Sequence, residues 1–218
     1  MQLRYVSRPP ATPTHRPPLL LLLHGVGGNE EGLASFVATV DPRFLVLSLR
    51  APFINAPGAY RWFDVRFSTQ GIDVDGDEAE RSRLAVIQFV NDAVMGFGAD
   101  PRRVYLLGFS QGATLAYGIG LTAPAKLRGI VGIAGRVLPE IAPIAAPASA
   151  LRHLTLLIQH GVNDPVVPLA RAHATRDLFA DLGVMLGYRE YEAAHEITPA
   201  MLREACDFLG TQLDRFEA

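Results

Sequence analysis

Cysteine is nearly absent from this chain. Cys206 stands alone among 218 residues, and a lone thiol excludes an internal disulfide. It falls in an apolar helical pattern, which predicts a buried core thiol rather than a reactive one. An excess of either charge is also missing. The formal net charge is -2, and the arginines are scattered, so there is no electrostatic footprint for nucleic acid. No apolar run is long enough to cross a bilayer. The run Leu19–Leu23 reads as a buried strand, and stable membrane insertion is not expected. The start, Met1-Gln2-Leu3-Arg4, lacks the basic and apolar regions of a signal peptide, so the cytoplasm is the expected location. Neither a repeat nor a dividing linker interrupts the sequence, and residues 1–218 are expected to form a single domain.

Apolar residues, by contrast, are plentiful. They make up 49% of the chain against 19% charged, a balance that argues for a folded globular protein with a sizeable core. Apolar runs alternate with helical patterns. Buried strands are predicted at Leu19–Leu23, Phe44–Leu49, Val104–Phe109, Gly129–Ile133, Leu154–Gln159 and Leu186–Tyr191, with Leu3–Val6 as an edge strand. Helices are predicted over Asp77–Phe97, with Leu84, Ile87, Val90 and Val94 on one face, and over Gln111–Leu121 and Leu169–Leu182. A last helix, Thr198–Arg215, has a Thr198 cap and a stripe of Leu202, Cys206, Leu209 and Leu213. Strands alternating with helices imply an α/β fold with a mostly parallel sheet and helices on both faces.

The most telling residues are Gly108-Phe109-Ser110-Gln111-Gly112. They form a G-x-S-x-G sequence between a predicted strand and a predicted helix, the context of a nucleophile elbow. Its alternative is an ordinary glycine-rich turn. Asp164, in His160-Gly161-Val162-Asn163-Asp164-Pro165-Val166-Val167-Pro168, and His195, in Tyr191-Glu192-Ala193-Ala194-His195-Glu196, each follow a later predicted strand. Serine, acid, histidine is the chain order of α/β-hydrolases, and ligands in open α/β sheets bind beyond the carboxyl ends of the strands. His195 would take the Ser110 proton, and Asp164 would fix the tautomer of His195. The backbone N–H of Gln111, the residue after the nucleophile, would donate to an oxyanion. The glycine-rich His24-Gly25-Val26-Gly27-Gly28 would supply the second donor at Val26, with His24 organising the loop. These glycines lack the spacing of a dinucleotide fingerprint and the ending of a phosphate-binding loop.

With these residues in place, the chain resembles the phospholipase/carboxylesterase family of α/β-hydrolases, which includes acyl-protein thioesterases and small bacterial carboxylesterases. The resemblance rests on Leu23-His24-Gly25-Val26-Gly27-Gly28, Arg61-Trp62-Phe63-Asp64, the Ser110 motif, the Asp164 segment and Ala194-His195-Glu196. It implies a fold with a minimal cap or none, and hydrolysis of a small-molecule acyl ester or thioester without a cofactor. A homodimer is common in such proteins. Two departures stand out. Gly28-Asn29-Glu30 occupies a place where an acidic residue often follows the glycines sooner, and Ala194 stands where glycine usually precedes the histidine.

Other features admit plainer explanations. Trp62 and Phe63 either line an acyl pocket or anchor a long loop. Asp64 is expected to accept local hydrogen bonds. The acidic stretch Asp73–Glu78 fails as a calcium loop, because its glycine is misplaced and Leu84 stands where glutamate is needed, so no metal is expected. It reads instead as a turn placing carboxylates at a helix N-terminus. The proline-bearing segment Arg136–His153 is either a rim of the site or a solvent-exposed connection. His160 is expected to be structural, and His173 exposed or locally paired. The reading is a serine hydrolase of small to medium acyl esters. One alternative is a thioesterase or lysophospholipase of longer chains. Another, from a different class, is a binding protein on a hydrolase fold, which would have no need of the serine, acid and histidine together.

Overall fold

The computed structural model describes residues 3–68 and 71–217; Met1 and Gln2 of the expected leader-free start lie outside them. The chain runs β1 (Tyr5–Arg8), β2 (Leu19–Leu23), α1 (Ala34–Val37), β3 (Leu45–Leu49), β4 (Phe53–Ala56), β5 (Ala59–Arg61), β6 (Val65–Ser68), β7 (Gly71–Val74) and α2 (Gly76–Phe97). It continues through β8 (Val104–Phe109), α3 (Gln111–Thr122), β9 (Gly129–Ile133), α4 (Ala148–Leu151), β10 (Thr155–Gly161), α5 (Leu169–Asp181), β11 (Met185–Tyr191) and α6 (Pro199–Glu217). The main sheet has the order β1-β3-β2-β8-β9-β10-β11. Only its edge pair, β1 with β3, is antiparallel.

Strand β2 shows why the fold takes this form. All five leucines are buried, and successive side chains leave opposite faces of a strand. Leu19, Leu21 and Leu23 join a core with Val86, Val90, Leu115 and Ile119 of α2 and α3. Leu20 and Leu22 join a second core with Phe36, Phe44, Leu209 and Leu213. A strand apolar on both faces needs a helical layer on each. Helix α3 is buried along Gln111–Leu121, which places it centrally against the sheet.

Several boundaries and faces differ from expectation. The edge strand lies at Tyr5–Arg8 rather than Leu3–Val6. In α2 the buried line runs through Ala79, Ser82, Val86, Val90 and Ala93, while Leu84 is exposed. Ser82 donates to Trp62 O and the neighbouring Arg83 to Thr122 of α3, so apolarity alone misplaced the face. In α6 the buried line is Met201, Ala205, Leu209 and Leu213. Cys206 is only half-buried, with its thiol 3.6 Å from the Thr39 hydroxyl. The caps match the sequence logic. Asp75 accepts from the Glu78 N–H at the start of α2, with Asp77 and Glu78 in the first turn, and Thr198 accepts from the Met201 N–H at the start of α6.

The hairpins β4–β5 and β6–β7 fill the passage from β3 to α2, and no large cap covers the sheet among the described residues. Within the same residues, no helix is long and apolar enough to cross a membrane.

Candidate active site

Ser110 sits between β8 and α3 with φ 55° and ψ -113°, a conformation that non-glycine residues avoid. It persists because the surroundings over-determine it. The Ser110 N–H donates to the Ile133 carbonyl at 2.9 Å, and its carbonyl accepts from the Thr114 N–H at 3.0 Å. The flanking glycines make the turn sterically feasible. A Cβ on Gly112 would strike the Leu23 carbonyl of β2, and one on Gly108 would strike the backbone of Gly112 and Ala113.

Asp164 follows β10 in a turn whose side chain is wholly buried. Its Oδ1 accepts from the N–H groups of Val166 and Val167, both at 2.8 Å. Its Oδ2 accepts from His195 Nδ1 at 2.7 Å, and His195 Nε2 lies 2.9 Å from Ser110 Oγ. A carboxylate at Nδ1 fixes the proton there and leaves Nε2 as an acceptor facing the serine hydroxyl. The loops after β10 and β11 are laced together: Val162 N–H donates to Tyr191 O and Asn163 N–H to Ala193 O. Outside glycine, positive φ among the described residues falls at Ser110 and Ala134. Ala194 therefore keeps ordinary backbone angles, and the turn before His195 accommodates its methyl group. His160 Nε2 donates to Val167 O at 2.8 Å, which steadies the segment that holds Asp164.

The glycine-rich loop after β2 packs directly on the nucleophile; a Cβ on Gly25 would lie 3.3 Å from Ser110 Cβ. His24 braces this loop. Its Nε2 accepts from the Ala51 N–H at 3.0 Å, so its Nδ1 carries the proton and donates to Gly25 O at 2.6 Å. Burial pushes the His24 pKa down, which keeps the ring neutral. The Tyr60 backbone clamps the loop from outside, accepting from Gly27 N–H and donating to Gly28 O, both at 2.8 Å. Glu30, the acid displaced along the sequence, forms an ion pair with Arg50, and the Arg50 guanidinium lies over the Tyr60 ring. Val26 and Gln111 both border the cavity in front of Ser110.

That cavity is about 450 Å³. Phe63 lines it. Trp62 does not, and its expected substrate contact is corrected. The side chain is fully buried, and its indole N–H donates to His24 O at 2.8 Å. An indole that finds both apolar packing and an internal acceptor serves as an anchor. The Gln111 side chain holds this segment: its Oε1 accepts from Trp62 N–H at 3.0 Å, and its Nε2 donates to Phe63 O at 2.9 Å. Asp64 lies near Arg61 and Arg66, at 3.6 and 3.5 Å. His173 pairs with Glu190 at 2.7 Å. The segment after β9 does reach the rim, through Arg136 and Leu138. Thr114, Val166 and Arg171 also line the cavity. The sequence signal that points to Arg136 and Arg171 is their place beyond the carboxyl ends of β9 and β10, Arg136 in the loop and Arg171 at the start of α5. No cluster of metal-ligating side chains occurs among the described residues.

Residues 9–213 match the model of the phospholipase/carboxylesterase family. The chain belongs to this family. As a family member it is 30% identical over 216 residues to acyl-protein thioesterase 1 of Gibberella zeae, covering 89% of this chain and 90% of the fungal protein. It is also 30% identical over 215 residues to esterase YpfH of Escherichia coli, covering 94% of this chain and 86% of the bacterial protein. Among solved structures, the Bacillus cereus carboxylesterase shares the fold with a TM-score of 0.82 at 23% identity, over 96% of this chain and 94% of that one. The family's α/β-hydrolase architecture is thus the architecture of this chain.

Proposed function

We propose that this family member cleaves carboxylic esters of small to medium acyl chains through an acyl-enzyme on Ser110. The Ser110 oxygen attacks the ester carbonyl as its proton passes to His195 Nε2. That proton then leaves with the alcohol. Water attacks the acyl-enzyme, His195 takes the water proton and returns it to Ser110 Oγ, and the acid departs. Asp164 stays ionised and holds the imidazolium. The N–H groups of Val26 and Gln111 receive the oxyanion, each donor worth about 3–4 kcal/mol in the transition state.

One observation carries this reading: the continuous relay from Asp164 Oδ2 through His195 to Ser110 Oγ, at 2.7 and 2.9 Å. The test is turnover of p-nitrophenyl butyrate. Ser110→Ala is expected to lower kcat by at least about 10³-fold while the protein stays folded. Turnover within tenfold of the parent overturns the assignment.

A second reading, hydrolysis of longer acyl chains including thioesters, has its own support. An apolar cavity of about 210 Å³ adjoins the first and shares Phe63, Thr114 and Leu138 with it. A chain that passes these residues gains further buried surface, about 0.8 kcal/mol per methylene. A series of p-nitrophenyl esters from acetate to palmitate separates the two readings: an optimum at butyrate to hexanoate favours the first, and one at decanoate or beyond favours the second.

A further inference from the structure

Arginines around the site fall into two groups. Arg50 is paired with Glu30, Arg83 with Glu80, and Arg61 with Glu78. Arg136 and Arg171 differ: among the described residues, no carboxylate comes within ion-pair distance of either guanidinium, and neither donates a side-chain hydrogen bond. Both line the cavity that contains Ser110. Arg136, half-buried, follows β9, and Arg171, exposed, lies in the first turn of α5, so a loop and a helix start each bring a positive charge to the cavity. Burial, and then the charge of Arg171, push the Arg136 pKa down, with Glu140 opposing them. Glu140 is exposed and lines the adjoining cavity instead. The carboxylate on the cavity wall, that of Asp64, lies near Arg61 and Arg66. A partly buried guanidinium beside a second one is unfavourable unless an anion joins them. A guanidinium also presents a planar fork of donors that matches a carboxylate.

We infer that the cavity selects esters bearing a second, anionic group, a carboxylate set apart from the scissile carbonyl, which Arg136 and Arg171 hold while Ser110 attacks. This specificity rests on the proposed role of Ser110. Phe63, Leu138 and Val166 supply the apolar wall between the two ends. The resulting substrate is a half-ester of a short dicarboxylic acid, or an ester of a carboxylated alcohol.

The experiment compares kcat/KM for charged and neutral isosteres in two arms. The acyl arm sets mono-p-nitrophenyl glutarate against its methyl ester. The alcohol arm sets p-butyryloxybenzoate against its methyl ester. The parent protein is expected to favour the anion by about tenfold or more in one arm, which identifies the end of the ester that carries the charge; such a factor equals about 1.4 kcal/mol. The preference is expected to shrink with added salt and to approach unity in Arg136→Gln and Arg171→Gln. The salt series needs only the parent protein, so it remains decisive if a variant folds poorly. Equal rates in both arms overturn the inference while leaving the esterase reading intact, as does a preference that neither salt nor the variants reduce. Failure to hydrolyse either isostere in both arms overturns the reading on which the inference rests.

Discussion

Gln111 holds two positions at once. Its backbone follows the nucleophile, and its side chain ties down Trp62 and Phe63. Gln111→Ala would leave a buried N–H and a buried carbonyl without partners, at about 1–3 kcal/mol each. The expected result is a lower urea midpoint together with a raised KM, since Phe63 lines the cavity. An unchanged KM would show that the tether does not shape the pocket. At this scale Ser110, Asp164 and His195 were legible in the sequence, because each stands in a short motif after an apolar run. The roles of Trp62 and Phe63 were not. Adjacent aromatics in a loop look alike on paper, and only the packed structure shows that the indole turns inward to His24 O while the phenyl ring meets the cavity. Arg136 and Arg171 carried only a positional signal, because an arginine near a loop ordinarily reads as a solvated charge.

Elements meet most tightly where α3 crosses β2 behind the nucleophile. Gly112 faces the Leu23 carbonyl with no room for a methyl group. Gly112→Ala is expected to force strand and helix apart and cost about 1–3 kcal/mol, read as a lower urea midpoint at unchanged slope. A stable variant with full activity would mean that the contact relaxes freely. The loop after β2 offers a second test. Glu30→Gln removes the partner of Arg50, which lies over the Tyr60 ring. Small displacements of positioning groups cost up to about 10²-fold, so kcat/KM for p-nitrophenyl butyrate is expected to fall tenfold or more. A change below twofold would show that the His24 bonds hold Val26 unaided. The parallel strands were legible as unbroken apolar runs, β2 above all. The hairpins β4–β5 and β6–β7 were not, because their strands are only three or four residues long. The face of α2 was misread because the small Ala79, Ser82 and Ala93 are buried while the larger Leu84 is exposed.

The whole molecule has an acid-side limit that its charges define. Hydrogen bonds from Arg50, Arg43 and Arg83 hold Glu30, Asp41 and Glu80 below the usual carboxylate range. A carboxyl depressed in the folded state contributes stability that is complete above its unfolded pKa and is lost as pH falls through the folded one. His24 acts in the same direction at higher pH. Burial pushes it down, so below about pH 6.5 the unfolded chain takes the proton first. The urea midpoint is therefore expected to decline from about pH 6.5 and more steeply below about pH 4, and a flat midpoint across this range would contradict these assignments. At this scale the two-layered cover of the sheet followed from strands apolar on both faces, and membership of the phospholipase/carboxylesterase family agrees with it. The central claim concerns a single oxygen atom. Treatment of the folded protein with a fluorophosphonate, followed by mass analysis of its peptides, tests it most directly. The account predicts one phosphonyl group per chain, carried by Ser110, with labelling lost in His195→Gln. Modification at another residue, or none on a folded protein, would contradict it.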